Sequence, residues 1–189
     1  MLLCGDEHPF VVYPGAVPSE VCDALCEEVE DMPHGDGQVG GELDAPIRDA
    51  SVAFLPPTHW SAELLHHAAA KANEEGRWNY ELLGPEAVQH TRYGPQQHYG
   101  WHVDAFGDQD AVRKLSITLQ LSHADAYTGG ELEFLRFGVA TPEVWGLPEA
   151  ARARGSLIVF PSFLVHRVTA VQRGRRDALV AWIRGPRFR

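Results

Sequence analysis

The chain has 189 residues, 44% of them apolar, with five tryptophans; that is enough for one buried core and too apolar for a disordered polypeptide. Its formal charge of −10 argues against nucleic acid as the main partner, because phosphate binding needs a basic surface. No apolar run approaches the roughly 20 residues of a membrane span, and MLLCGDEHPF lacks the basic region of a secretory signal, so a cytoplasmic protein without a membrane partner is expected.

Residues 18–32, PSEVCDALCEEVEDM, predict a helix capped by Ser19, with Val21, Leu25 and Val29 on one stripe. Cys22 and Cys26 share a face of it. With three cysteines and no CxxC they read as reduced residues, a disulfide or metal site being the alternative. PHGDGQVGGELDAP, rich in Gly and acid, reads as a mobile loop, and RDASVAFLP (48–56) as a strand. Arg48 there can hold an acidic substrate group or form a surface ion pair. Residues 59–76 predict a second helix ending near Gly76, with His66 and His67 pointing in different directions from it.

After residue 76 the pattern changes to short apolar runs between turn signals: WNYELLG, AVQHTRYG, HYGWHVD, KLSITLQLS, ELEFL, GSLIVFPS, LVHRVTAV and DALVAWIRG. These predict strands of a barrel or sandwich. In KLSITLQLS, Leu115, Ile117, Leu119 and Leu121 alternate with Ser116, Thr118 and Gln120, a strand with one apolar and one polar face. Trp145 lies in a Pro- and Gly-containing insertion that can border a substrate entrance. RARG, RGRR and RGPRFR make the C-terminal part basic and leave room for a local anion site. The expected class is α+β, one domain over 1–189, with 1–80 as helical support and 81–189 as the β core.

His102 and Asp104, in QQHYGWHVDAF, are two apart and share a strand face. With 10 His and 11 Asp in the chain, chance alone supplies about 0.6 His-x-Asp pairs, so the pair needs partners. A mononuclear Fe(II) site needs two His and one carboxylate on one face of the metal. His166, in FPSFLVHRVTAV, can be the third ligand, or a core histidine in an apolar run. Arg176 follows it by ten residues and opens another strand. A buried arginine must meet an anion, and its planar fork suits the far carboxylate of a dicarboxylate whose other end sits on iron.

In RDASVAFL, WNYELLGPEAVQHTRYGPQQHYGWHVD, RKLSITLQLSHADAYTGGELEF and, most closely, GSLIVFPSFLVHRVTAVQRGRRDALVAWIRGP, the chain resembles the Fe(II)- and 2-oxoglutarate-dependent dioxygenases, specifically the PKHD-type hydroxylases related to prolyl 4-hydroxylases. The resemblance implies a double-stranded β-helix, or jelly roll, as the β core. It implies that His102, Asp104 and His166 bind Fe(II), that Arg176 and Tyr93 hold the distal carboxylate of 2-oxoglutarate, and that Thr118 is a further co-substrate contact. It also implies O2 as co-substrate and hydroxylation of an amino acid, a peptide or protein side chain, or a small metabolite. Asp104 is the carboxylate that related halogenases lack, and Ala178 stands where relatives often carry a hydroxyl, which would forgo one hydrogen bond. Two other classes stand beside this one: a non-catalytic jelly-roll binding module, and a cupin-type metal enzyme that does not use 2-oxoglutarate. The intact triad and Arg176 argue against the first, Tyr93 and Arg176 against the second.

Overall fold

A computed structural model describes residues 3–5, 8–37, 47–105, 112–137 and 141–187. Its elements in chain order are β1 (Leu3–Gly5), β2 (His8–Tyr13), α1 (Ser19–Glu30), β3 (Gly35–Asp36), β4 (Arg48–Asp49), β5 (Ser51–Leu55), α2 (Trp60–Glu75), β6 (Gly84–Pro85), β7 (Val88–Tyr93) and β8 (His98–His102). They continue with β9 (Arg113–Gln120), β10 (Tyr127–Gly129), β11 (Leu132–Arg136), β12 (Glu143–Gly146), a 3-10 turn at Glu149–Arg152, β13 (Leu157–Pro161), β14 (His166–Val168), β15 (Val171–Gly174) and β16 (Arg176–Arg184).

Among the described residues the protein is mostly β-sheet with two α-helices. A large sheet runs β1-β2-β13-β9-β16-β7-β5-β3, with β6 paired to β16. A smaller sheet runs β12-β11-β14-β8-β4, and β10 pairs with β15. Among the described residues the strand pairings are antiparallel. The segment before residue 80 therefore supplies strands to both sheets as well as the helices.

Both faces of the large sheet are covered. Leu115, Ile117 and Leu119 of β9, with Leu179, Ala181 and Ile183 of β16, pack on Leu25 and Val29 of α1 and Leu65, Ala69 and Ala72 of α2. Each fully buried Leu or Ile there contributes about 1.5–3 kcal/mol. A second core lies on the opposite face, where Phe10, Val12, Ile158 and Phe160 meet Leu132, Phe134 and Val168 of the small sheet. The polar side of β9 is consequently not solvent-facing: Ser116, Thr118 and Gln120 are buried, turned toward the small sheet.

Several local expectations are corrected. Ser19 is the first residue of α1 rather than its cap; Pro18 stands at that position and makes no side-chain cap bond. His59 caps α2 by accepting from Ser61 N. RDASVAFLP is split at Ala50, with β4 in the small sheet and β5 in the large one. WNYELLG forms no strand before Gly84: Arg77 and Asn79 take positive φ of 55° and 54°, and Asn73 on α2 bonds both backbone groups of Tyr80 through its amide. The insertion around Trp145 contains β12, hairpinned onto β11. Most of the acidic loop at 34–45 lies outside the described residues, though Gly35 and Asp36 pair with β5. Cys22 and Cys26 are both free thiols. Among the described residues no helix is long and apolar enough to cross a membrane.

Candidate metal centre and co-substrate pocket

β8 and β14 are neighbours in the small sheet, and their register sets His102 directly opposite His166. Asp104 follows β8 by two residues and has no ladder partner. Its backbone N–H donates instead to Ser162 O at 2.9 Å, which holds the carboxylate under the two imidazoles. His102 Nε2 lies 3.6 Å from Asp104 Oδ1, and His166 Nε2 lies 3.5 Å from Asp104 Oδ2. The three donor atoms lie within 4.8 Å of one another, close enough to hold one metal ion.

The tautomers are set by the backbone. His102 Nδ1 is 2.8 Å from Gly100 O, and His166 Nδ1 is 2.8 Å from Leu164 O. A carbonyl only accepts, so both Nδ1 atoms carry a proton and both Nε2 atoms are turned to the carboxylate. Tyr99 stacks on the His102 ring at 3.5 Å, and Phe160 meets His166 edge-on at 4.7 Å, which fixes the ring planes. Burial depresses the His166 pKa to about 4, more than Asp104 raises it, so the imidazole is neutral near pH 7. Burial also pushes the Asp104 carboxyl upward, but His166, His102 and the Ser116 hydroxyl outweigh it and hold the group well below the usual carboxylate range. Neutral imidazoles and an ionised carboxylate are the forms that bind a metal.

The same cavity, between the two sheets, is lined by Arg176, Tyr93 and Thr118. Arg176 on β16 is 3% exposed, and its register partner on β7 is Tyr93. Its guanidinium lies 5.7 Å from the Tyr93 ring centre. Among the described residues no carboxylate pairs with Arg176, and its Nε has no hydrogen-bond partner. A buried, unpaired guanidinium facing a cavity is a site for an anion. Burial raises the Tyr93 hydroxyl pKa, so it stays a protonated donor.

The structure thus brings His102, Asp104, His166, Arg176, Tyr93 and Thr118 to one cavity. It adds residues that sequence reasoning missed, namely Gln89 and Thr91 on β7, Val180 and Trp182 on β16, Ser116 on β9 and Tyr99 on the small sheet, and it sets Arg48, already a candidate for an acidic group, at the same cavity. The signal for most of them was present, since each lies an even number of residues from Tyr93, Arg176 or Thr118 on the same strand. Arg48 is buried over the Tyr99 ring at 4.7 Å rather than on the surface. Trp101 points away from the metal-binding side chains, 36% exposed, under the Arg167 guanidinium. His90 is fully buried on the helix side of the large sheet, not at the cavity.

Two histidines, one carboxylate and a buried arginine across a β-lined cavity define a metal-centred site with room for an anionic co-substrate. Residues 88–184 match the sequence profile of the 2OG-Fe(II) oxygenase superfamily. A PKHD-type hydroxylase of Synechococcus elongatus is 39% identical over 97 residues, 49% of this chain and 40% of that one. The chain therefore matches less than half the length of that relative. A Pseudomonas putida prolyl-4-hydroxylase has the same fold, with a TM-score of 0.72 and 21% identity over 95% of this chain and 94% of that one. So does a Trichoplax adhaerens prolyl hydroxylase in complex with a hypoxia inducible factor oxygen degradation domain peptide fragment, with a TM-score of 0.69 and 16% identity over 94% of this chain and 84% of that one. The chain belongs to the 2OG-Fe(II) oxygenase superfamily, whose cofactor is Fe(II) and whose co-substrates are 2-oxoglutarate and O2; the His-Asp-His group fits the iron.

Proposed function

We propose that this protein is an Fe(II)- and 2-oxoglutarate-dependent dioxygenase that hydroxylates an unactivated C–H bond of an amino acid, a peptide or protein side chain, or a small metabolite. Residues 1–189 then form one domain, with the two facing sheets as a double-stranded β-helix supported by α1 and α2. The observation that carries it is Arg176, a buried guanidinium without a carboxylate partner among the described residues, in the same cavity as His102, Asp104 and His166. The peptide bound by the Trichoplax relative supports a peptide or protein as substrate.

Bound Fe(II) supplies the redox chemistry in which O2 and 2-oxoglutarate are consumed, succinate and CO2 are released, and one oxygen atom enters the substrate. The chain's own residues bind and orient. His102, Asp104 and His166 would hold the metal through two imidazole nitrogens and a carboxylate. Arg176 grips the distal carboxylate of 2-oxoglutarate, Tyr93 donates its hydroxyl to the same group, and Thr118 adds a polar contact along β9. The apolar wall of Leu132, Phe160, Val168 and Val180 keeps water from the reacting centre.

The test is succinate release by iron-supplied protein with and without O2, screened over amino acids and peptides for a product heavier by one oxygen atom. Oxygen-dependent succinate is expected, with His102→Ala and His166→Ala inactive. Substantial 2-oxoglutarate decarboxylation by iron-supplied His166→Ala would remove His166 from the ligand set.

A further inference from the structure

Asp104 lies beyond the end of β8, so no strand ladder fixes its side chain. A free carboxylate can chelate a metal with both oxygens and occupy two positions instead of one. In the surroundings of Asp104 one of the two oxygens is engaged by a hydroxyl. Ser116 Oγ lies 2.6 Å from Asp104 Oδ2, and Ser162 Oγ lies 2.9 Å from Ser116 Oγ. Both serines are buried, at 1% and 0% exposure. An ionised carboxylate only accepts, so the single Ser116 proton is committed to Oδ2. The contact between the hydroxyls must then be donated by Ser162.

The result is a directed relay, Ser162 O–H to Ser116 Oγ and Ser116 O–H to Asp104 Oδ2. The backbone is pinned by the same neighbours. Ser162 O accepts from Asp104 N and Ala105 N at 2.9 and 3.0 Å, and Ser162 N donates to Lys114 O at 3.0 Å. Arg113 Nη1 reaches the Asp104 carbonyl at 3.3 Å while its other nitrogens clamp Glu86. Ser116 is itself held between β13 and β16, opposite Phe160 and Trp182.

We infer that Ser116, oriented by Ser162, is a positioning residue for the metal: its hydroxyl occupies one oxygen of Asp104 so that only the other turns to the ion. A single-oxygen carboxylate keeps one more metal position for co-substrate or O2. The inference rests on the proposed metal site.

The experiment is anaerobic titration of the full chain with Co(II), a spectroscopic substitute for Fe(II), read by calorimetry and by visible absorption. Ser116→Ala is expected to weaken Co(II) binding about 10- to 100-fold and to change the visible bands as the second oxygen reaches the ion. Ser116→Thr, which keeps the hydroxyl, should restore both the affinity and the bands. Ser162→Ala should cause a smaller loss in the same direction, and it carries the test should Ser116→Ala not fold. A merely structural role would lower the melting temperature of the metal-free protein and leave the bands unchanged. Wild-type affinity and bands in a folded Ser116→Ala protein, or in Ser162→Ala where it stands alone, overturn the inference and leave the metal site intact. Absence of Co(II) binding by the unmodified protein overturns both.

Discussion

A guanidinium cannot shed its charge at any pH the protein meets, so Arg176 must be compensated by something that enters the cavity. Its side chain is aimed by a close approach: Gly130 takes a positive φ of 66°, and a Cβ added there would stand 3.1 Å from Arg176 Cδ. Replacing Arg176 by Ala removes charge-assisted hydrogen bonds of about 1.5–3 kcal/mol. The apparent KM for 2-oxoglutarate should therefore rise roughly 10- to 150-fold, with a smaller effect on kcat. Steady-state succinate release against 2-oxoglutarate concentration measures this. An unchanged KM would reassign the distal carboxylate to another residue. Lys at this position should recover only part of the loss, because an ammonium lacks the planar fork.

At the scale of elements, β9 shows what the sequence made legible and what it did not. Its alternation identified a strand with two chemically distinct faces, and the structure keeps that alternation. Alternation alone leaves open what Ser116, Thr118 and Gln120 face, because nothing local reveals that a second sheet covers them. The triad was legible for a related reason: His-x-Asp and the later His and Arg are fixed in order along the chain, whatever the loops do. Tyr99 was not recognised, since its place at the cavity depends on which strands become neighbours. WNYELLG failed because its apolar residues pack as a loop against α2, with φ values no strand adopts.

β10 and β15 pair antiparallel with a register shift between Thr128 and Gly129, and Gly129 has φ +75° with Ala170 O 2.2 Å from where a Cβ would sit. Gly129→Ala meets both backbone strain and a clash with a carbonyl that cannot swing away. It should destabilise the protein by more than about 1 kcal/mol, visible as a lower denaturant midpoint. Gly146→Ala is the control, since nothing lies within 4 Å of its Cβ position. Equal midpoints for the two variants would show that the backbone at the β10–β15 pairing relaxes freely.

At the scale of the whole molecule, α1 is fastened to the large sheet by a charge network that no short stretch of sequence announces. Asp177 on β16 accepts from Arg92 Nε at 2.9 Å and Arg175 Nε at 2.7 Å, and His90 Nε2 lies 3.1 Å away. Glu30, near the end of α1, accepts from Arg92 at 2.6 Å and from Arg175 at 3.3 Å, and His34 Nε2 meets His90 Nδ1 at 2.8 Å. The groups come from α1, the segment after it, β7 and β16, so the network closes the N-terminal part onto the strands that carry Tyr93 and Arg176. Burial favours the neutral acid at Asp177, but the nearby His90, the hydrogen bond from Arg92 and the charge of Arg175 outweigh it and lower the pKa to about 2. A carboxylate depressed on folding stabilises the folded state fully above its unfolded pKa, about 4, and that stability fades as pH falls toward 2. The contribution is roughly 2 kcal/mol, because one pKa unit is about 1.4 kcal/mol. Asp177→Asn should therefore be less stable than the parent by about that amount at pH 6, and the gap should shrink steadily between about pH 4 and pH 2 as the parent's own carboxylate is protonated. Urea unfolding of both proteins across that range reads the gap directly. A gap that stays constant with pH would place the stabilisation in packing around residue 177, and the charge network would then orient α1 without holding it.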